Sequence, residues 1–537
     1  MTGRTIGSGG TRRRFLLTNA RVLTMDDARP TARAVAIEGE SIVAVGDDDL
    51  ARAHPDAEVR DLGGRILVPG FIDAHNHLSI AALHPLWADL SGVGTLEELR
   101  AALAEQAARE PDAEWIRGFG WNEANGLTLD RSDLDALGFT RPVIVVHFTL
   151  HQAVVCSRGL DALGIGRTTP DPPGGEIPRR ADGEPTGLLV ERAWSDAHAR
   201  SIAAYRDPAR WADLFVARAK ALLRDGITCV HDAACSPEAE EIYRRLARER
   251  RLPLSVLAMP HAAALLSRLD PSRLDGPPTG EGDAWLRVGP VKLFADGGAA
   301  PAIDVQVGGA PLALGISFPG LREDAERIAA RGFGVAVHAI GNLGLELALD
   351  AFRAVRRVSR DADLRLRVEH AMLASPEQMA ELAALGLVGV VQPGFVDHVG
   401  RAVVDVRFDR ETWLPFADLA RAGVRLAASS DDPCAFHEPL LTSARGTTRR
   451  CGTGQIVGPE QALPYEEWLR AYTAGAAYAG GQEYERGRIA PGLRADLVVL
   501  EGELDAEHPP RVAETWVAGR CAWSARDEDD ASATTAR

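Results

Sequence analysis

The 537-residue chain is poor in cysteine, with six, and contains no CxxC pair. That excludes a disulfide framework and a thiolate zinc cluster. Cys156, Cys229, Cys235, Cys434, Cys451 and Cys521 are expected to be mostly reduced and buried. No run of about 18 apolar residues occurs, so no membrane-spanning helix is expected. Basic residues are outnumbered: the net charge is −16 and the pI near 5.4. Nucleic acid is therefore not an expected partner, because phosphate neutralisation needs clustered Lys and Arg. No internal repeat is visible. What is present, 46% hydrophobic and 25% charged residues, suits a globular chain, expected to be cytoplasmic. The length calls for two or three structural units. The string Thr11-Arg12-Arg13-Arg14-Phe15-Leu16-Leu17 imitates a twin-arginine export signal. Polar residues at Thr18, Asn19, Arg21, Thr24, Asp26 and Asp27 interrupt the apolar run such a signal requires. The alternation from Phe15 to Met25 is read instead as a first strand.

Residues 15–68 hold short β-rich runs punctuated by Gly39, Gly46 and Gly63-Gly64, and a second β-rich stretch lies within 485–523. Together they predict one small β-sandwich built from both termini. Residues 69–84 and 206–484 alternate strand and helix patterns. Strand candidates are 71–77, 227–232, 254–260, 288–294, 334–338, 366–370, 388–392 and 425–430. Eight strands with helices between them predict an α/β fold of TIM type, a (β/α)8 barrel. Residues 85–205 are too long for a normal βα connection. They are read as an inserted lid between strands one and two, with its own strands at 115–119, 143–148 and 153–155. Residues 524–537 are polar and expected to be a disordered tail.

His75-Asn76-His77 ends the first barrel strand. Residues i and i+2 of a strand face the same side, so both imidazoles can converge on one metal ion. A short His-x-His is weak evidence alone, but Lys292, His338, His370 and Asp431 recur at the ends of later strands. In a barrel of this type, side chains at the C-terminal strand ends meet at one mouth, where the chemistry is placed. Six groups would thus converge there. His231 and His261 end strands two and three but read as hydrogen-bonded core histidines. His54, His84, His198, His398, His437 and His508 are read as lying outside the ligand set.

The order His-x-His, Lys, His, His, Asp on successive strands resembles the amidohydrolase superfamily. Local strings are similar to its amidohydrolase-3 branch, which includes YtcJ-like proteins and N-substituted formamide deformylases. They are Val68-Pro69-Gly70-Phe71-Ile72-Asp73-Ala74-His75-Asn76-His77, Val291 to Gly297, His338-Ala339-Ile340-Gly341, Val368-Glu369-His370-Ala371, Gln392-Pro393, Ser430-Asp431-Asp432-Pro433 and Arg488 to Leu497. His151, Thr186-Gly187 and Glu191 match in the inserted region. The resemblance implies that His75, His77 and Asp431 bind one divalent ion and that His338 and His370 bind a second, with zinc the favoured metal. It implies that Lys292, as an ammonium no ligand at all, carries a carbamate that bridges them. The alternative for Lys292 is a barrel lysine paired with Asp296 or Glu369. Asn342 and Cys156 depart from the branch, which often has Asp and Asn there.

A bound divalent ion lowers the pKa of water to near neutrality and polarises a carbonyl. The expected reaction is therefore hydrolysis of a non-peptide C–N bond in a small N-substituted amide or formamide. Asp431 would carry the proton from water to the leaving nitrogen, and His151 would donate to the developing oxyanion. His147, Glu191, Asp296 and Trp121 are the candidate substrate-binding residues, although aromatics such as Trp121 more often serve packing. A deaminase or a cyclic amide or lactone hydrolase is the alternative on this scaffold. Lys292 argues against the first, since a deaminase of this scaffold usually keeps one metal and lacks the bridging lysine. A metal-binding protein without catalysis is the third reading. A homodimer is compatible with all of them.

Overall fold

The computed structural model describes residues 13–47, 49–359 and 364–528. Thr11 and Arg12 of the arginine-rich string, and residues 529–537 of the expected tail, lie outside the described residues. The fold is α/β and of TIM-barrel type. Its centre holds the parallel strands β1 (Phe71–Asn76), β2 (Ile227–Cys235), β3 (Ser255–Pro260), β4 (Leu286–Val288), β5 (Val291–Phe294), β6 (Val335–Ala339), β7 (Arg367–His370), β8 (Val388–Val391) and β9 (Arg425–Ala428). Most are buried along their whole length, as parallel strands covered on both faces must be.

These strands form two sheets, ordered β4-β3-β2-β1 and β5-β6-β7-β8-β9. The single strand expected over 288–294 is corrected here. Gly289-Pro290 breaks it, because proline has no N–H to give to a ladder. The chain pairs with β3 before the break and with β6 after it. Gly289 N donates to the Ala258 carbonyl (2.7 Å) and Val291 N to the Gly334 carbonyl (2.9 Å), so pairing passes from one sheet to the other. At the opposite seam Asp431 N donates to the His75 carbonyl (2.8 Å).

Helices follow the strands. α1 (Pro237–Arg248) starts with Ser236, whose side chain accepts from Ala239 N, and with proline in its first turn, a position that needs no donor. It buries Ala239, Ile242, Tyr243 and Leu246, the 3–4 spacing of one helix face. α2 (Asn342–Val358) and α3 (Pro376–Ala384) follow β6 and β7, and Ser375 and Gln378 close a capping box on α3.

The two chain ends combine. Leu497–Glu501 pairs antiparallel with Ile66–Pro69, the strand that leads directly into β1. One terminal sheet has four strands (41–46, 34–38, 14–18, 58–61) and the other six, and they share a core of Phe15, Leu17, Val35, Ile37, Leu67, Leu497 and Trp516. The stretch between β1 and β2 carries its own six-stranded sheet, which includes Ile116–Trp121, Val143–His147, Gln152–Val155 and Leu188–Glu191. Residues 525–528, which the sequence placed in a tail, form a helical turn in which Glu528 accepts from Trp523 Nε1 (3.1 Å). Among the described residues no helix is long and apolar enough to cross a membrane. All six cysteines are free, and all but Cys521 are buried.

Candidate metal centre

Four imidazoles, one amine and one carboxylate converge: His75, His77, His338, His370 and Asp431 lie at or just beyond the C-terminal ends of β1, β6, β7 and β9, and Lys292 reaches in from within β5. His75 Nε2 lies 3.3 Å from Asp431 Oδ1 and 3.2 Å from Lys292 Nζ. His77 Nε2 lies 3.1 Å from the same Asp431 oxygen. One donor atom each from His75, His77 and Asp431 falls within a 4.8 Å cluster. The His370 ring sits 4.9 Å from that of His75 and 4.6 Å from that of His338, centroid to centroid.

Three of the rings are held from behind. His75 Nδ1 is 2.6 Å from Glu369 Oε2, His77 Nδ1 is 2.8 Å from the Ala233 carbonyl, and His370 Nδ1 is 2.9 Å from Gln392 Oε1. Each partner is an acceptor, so each Nδ1 carries the proton and each Nε2 keeps its lone pair for the centre. Gln392 is itself held, donating to Ser429 Oγ at 2.9 Å. His338 Nε2 is buried and has no hydrogen-bond partner.

Burial pushes the His75 imidazole down to about 3 and the His370 imidazole to about 4, and drives His338 well below the usual range. All three are therefore neutral, the form that ligates. Burial lowers the Lys292 amine to about 8. Burial would raise the Asp431 carboxyl, but His75, His77 and His370 together hold it well below the carboxylate range. Neutral imidazole nitrogens around an ionised carboxylate, with one buried nitrogen unpartnered, fit a divalent metal ion.

The backbone is bent to achieve this. His370, Ala371 and Asp431 have φ of +76°, +44° and +62°. Such values cost non-glycine residues on the order of 1–3 kcal/mol each and cluster at functional sites.

The centre opens into a cavity of about 160 Å3. Its wall is largely apolar: Phe148, Leu150, Phe294, Met372, Phe395 and Trp413. His151 also lines it, its ring 5.1 Å from that of His338. His151 Nδ1 lies 2.6 Å from Glu191 Oε2, while Glu191 Oε1 accepts from Ala299 N and Ala300 N at 2.9 and 3.0 Å. The loop after β5 thus reaches His151 through Glu191, and the close approach requires glycine. A Cβ at Gly298 would lie 2.4 Å from the His151 ring. A larger cavity, about 790 Å3, lies behind Asp432 among Trp87, Phe119 and Arg218, and none of the six converging groups lines it.

The structure does not bring all the expected residues to the cavity. Trp121 belongs to the core of the inserted region, where its Nε1 donates to the Leu127 carbonyl (2.8 Å). His147 is turned to Glu123, 2.9 Å from Nε2. Asp296 accepts from the backbone N–H of Ala302, Ile340 and Gly341 at 2.8–3.0 Å, fixing the turn after β6. Glu191 stands behind His151 rather than in the cavity wall. Lys292 pairs with neither Asp296 nor Glu369. His231 and His261 are hydrogen-bonded core residues, to Arg367 (3.1 Å) and to the Lys292 carbonyl (2.9 Å). Asn342 exchanges hydrogen bonds with the Asp304 backbone, and Cys156 Sγ accepts from Val143 N (3.1 Å). Neither lines the cavity. From the sequence Glu369 was only an alternative partner for Lys292 and Gln392 only part of a matching string; neither was placed behind a histidine. The residues adjoining His370 and ending β8 were legible as strings, but their aim at particular rings was not.

Residues 58–522 match the amidohydrolase family. The chain is 34% identical to the N-substituted formamide deformylase of Arthrobacter pascens, over 91% of this chain and 93% of that protein. It is 29% identical to the putative amidohydrolase YtcJ of Bacillus subtilis, over 91% and 95%. An uncharacterised metal-dependent hydrolase from Pyrococcus furiosus superposes with a TM-score of 0.70 at 25% identity, over 91% of this chain and 99% of that one. The chain therefore belongs to the amidohydrolase family and is a hydrolase of carbon–nitrogen bonds.

Proposed function

We propose that the protein hydrolyses an N-substituted amide or formamide whose substituent is apolar and uncharged. The observation that carries this reading is the convergence of His75, His77, His338, His370, Lys292 and Asp431 at one end of an apolar cavity. His75, His77 and Asp431 would hold one divalent ion, zinc by its donor set, and His338 and His370 a second, with Lys292 between them as a carbamate. When bound, such ions acidify water and polarise the substrate oxygen. The protein's own groups do the rest. Asp431 takes the proton of the attacking water and delivers it to the leaving nitrogen. His151, its Nδ1 tied to Glu191, turns Nε2 toward the developing oxyanion as a donor when the ring carries both protons. Phe148, Phe294, Met372, Phe395 and Trp413 exclude bulk water and receive the N-substituent.

On this reading residues 69–84 with 206–484 close into the (β/α)8 barrel. Residues 15–68 with 485–523 form the composite β-sandwich, and 85–205 form the lid that supplies His151. The unpaired cysteines suit a reducing, cytoplasmic setting. The test is direct. The purified protein is analysed for metal and assayed for amine release from a panel of neutral N-alkyl and N-aryl formamides and acetamides. Metal bound at one or two equivalents, with turnover on the panel that a chelator abolishes, supports the reading. Full occupancy with no turnover on any amide, ester or amine points instead to a binding protein.

A further inference from the structure

We propose that Arg367 is a positioning residue for the metal centre, a buried guanidinium that fixes His75 by clamping Glu369. The inference rests on the reading of His75 as a metal ligand.

Arg367 begins β7 and is fully buried. Its Nε donates to Glu369 Oε1 at 2.6 Å, and Nη2 donates to Glu369 Oε2 at 3.1 Å and to the Ala74 carbonyl. Nη1 lies 3.1 Å from His231 Nδ1. The fork therefore grips both oxygens of one carboxylate, and that carboxylate in turn accepts from His75 Nδ1 at 2.6 Å. It also ties down the carbonyl of the residue before His75. Three of its four contacts thus bear on the ring that faces Asp431 and Lys292.

Energetics favour a positioning role over a stabilising one. A buried ion pair seldom stabilises more than well-packed apolar residues of the same volume, because both ions lose their hydration. Arg367 and Glu369 sit at the dry centre of the parallel strands, where aliphatic side chains would suffice for packing. What aliphatic residues could not supply is a fixed carboxylate behind His75 and a planar bidentate grip that prevents it from rotating. Glu369 has two hydrogen-bonded neighbours, the Arg367 guanidinium on one side and the neutral His75 ring on the other. Without the guanidinium the carboxylate is free to re-aim, and the His75 Nε2 lone pair re-aims with it. Partners behind metal-bound histidines carry about 10- to 100-fold in metal affinity.

The experiment measures zinc affinity by competition with a chromophoric chelator, on the full chain, for wild type, Arg367→Met, Arg367→Lys and Glu369→Gln. Thermal melting checks folding, and the visible spectrum of the cobalt(II)-loaded protein reports the ligand field. Arg367→Met and Glu369→Gln are expected to bind zinc about 10- to 100-fold more weakly. Arg367→Lys, which keeps the charge without the fork, is expected to recover part of the affinity with shifted cobalt bands. Should Arg367→Met leave an uncompensated carboxylate and fail to fold, the double variant R367M/E369Q removes both charges and is expected to fold and show the same loss. Wild-type zinc affinity and an unchanged cobalt spectrum in the folded Arg367 variants would overturn the proposal while leaving the metal reading intact. A wild-type protein that binds no metal overturns both.

Discussion

His77 and Asp431 face each other across the seam between β1 and β9, Nε2 3.1 Å from Oδ1, and the same carboxylate oxygen lies 3.3 Å from His75 Nε2. One oxygen is thus shared by two rings. On the proposed reading Asp431 Oδ2, the other oxygen, would carry the proton. Asp431→Asn keeps the shape and a neutral oxygen donor but removes the base. Turnover of the amide panel is expected to fall by about 10²–10⁴-fold even when added zinc restores full occupancy. Parallel rate and metal measurements decide this, and unchanged turnover would remove Asp431 from the chemistry.

Gly298 supports a second prediction. Alanine there would press on the His151 ring at 2.4 Å. The ring must shift from Glu191, and its Nε2 from the cavity. Gly298→Ala is expected to lower kcat by about 10²-fold with metal content unchanged, comparable to loss of one oxyanion donor. A normal kcat in this variant would show that His151 is not that donor.

The apolar wall predicts selectivity. Met372 lines the cavity beside Phe395 and Trp413, and Lys292 and Asp431 are already engaged with the centre. Among the described residues no arginine lines the cavity to pair with a substrate carboxylate, and the lysine that does line it, Lys292, faces the centre. Met372→Arg is expected to lower kcat/KM for neutral N-alkyl formamides about 10-fold or more, the loss of one well-packed apolar contact. It is also expected to improve the ratio for N-acyl amino acids. Steady-state kinetics on the two substrate classes test it, and an unchanged ratio would place the substituent elsewhere.

Lys292 yields a pH prediction for the metal-free protein. Its amine is lowered to about 8 by burial, against 10.5 unfolded. Between these values the unfolded chain holds a proton that the folded chain has lost, so stability rises with pH through that window. Below about pH 8 both states are protonated and the burial penalty is constant. Chemical denaturation of the chelated protein at pH 7.5 and 10 is expected to show a gain of about 2 kcal/mol that Lys292→Met lacks. Identical pH profiles for the two proteins would show Lys292 to be ordinary in its ionisation.

The convergence of the candidate ligands was legible in the sequence because strands make it so. His75 and His77 are two residues apart on one strand, and His338 and His370 end short apolar runs, so a period-two element aims all four without further information. What lies behind the rings was not legible. The partner of His77 is the Ala233 carbonyl, which has no side-chain signature at all. Glu369 alternates with His370 along β7, and only the curvature of the strands decides that it reaches His75. Asp296 follows the Lys292 strand closely enough to suggest a site residue, yet the loop turns it inward to three backbone amides. Trp121 read as a pocket aromatic, but the inserted region has its own core to fill. The fourth strand was placed correctly in span and wrongly in continuity. Pro290 announced the break, but not that pairing would pass across it from β3 to β6.

The pairing of Val498 with Val68 and the bond from Gly70 N to the Asp496 carbonyl (2.8 Å) mean that the strand bearing His75 is anchored by a segment far downstream of it in the sequence. A ribosome-bound fragment could assemble β5 to β9 and their histidines, yet would lack the clasp that seats the first two. A truncation before Leu497 is therefore expected to unseat His75 and His77 from the far side of the fold.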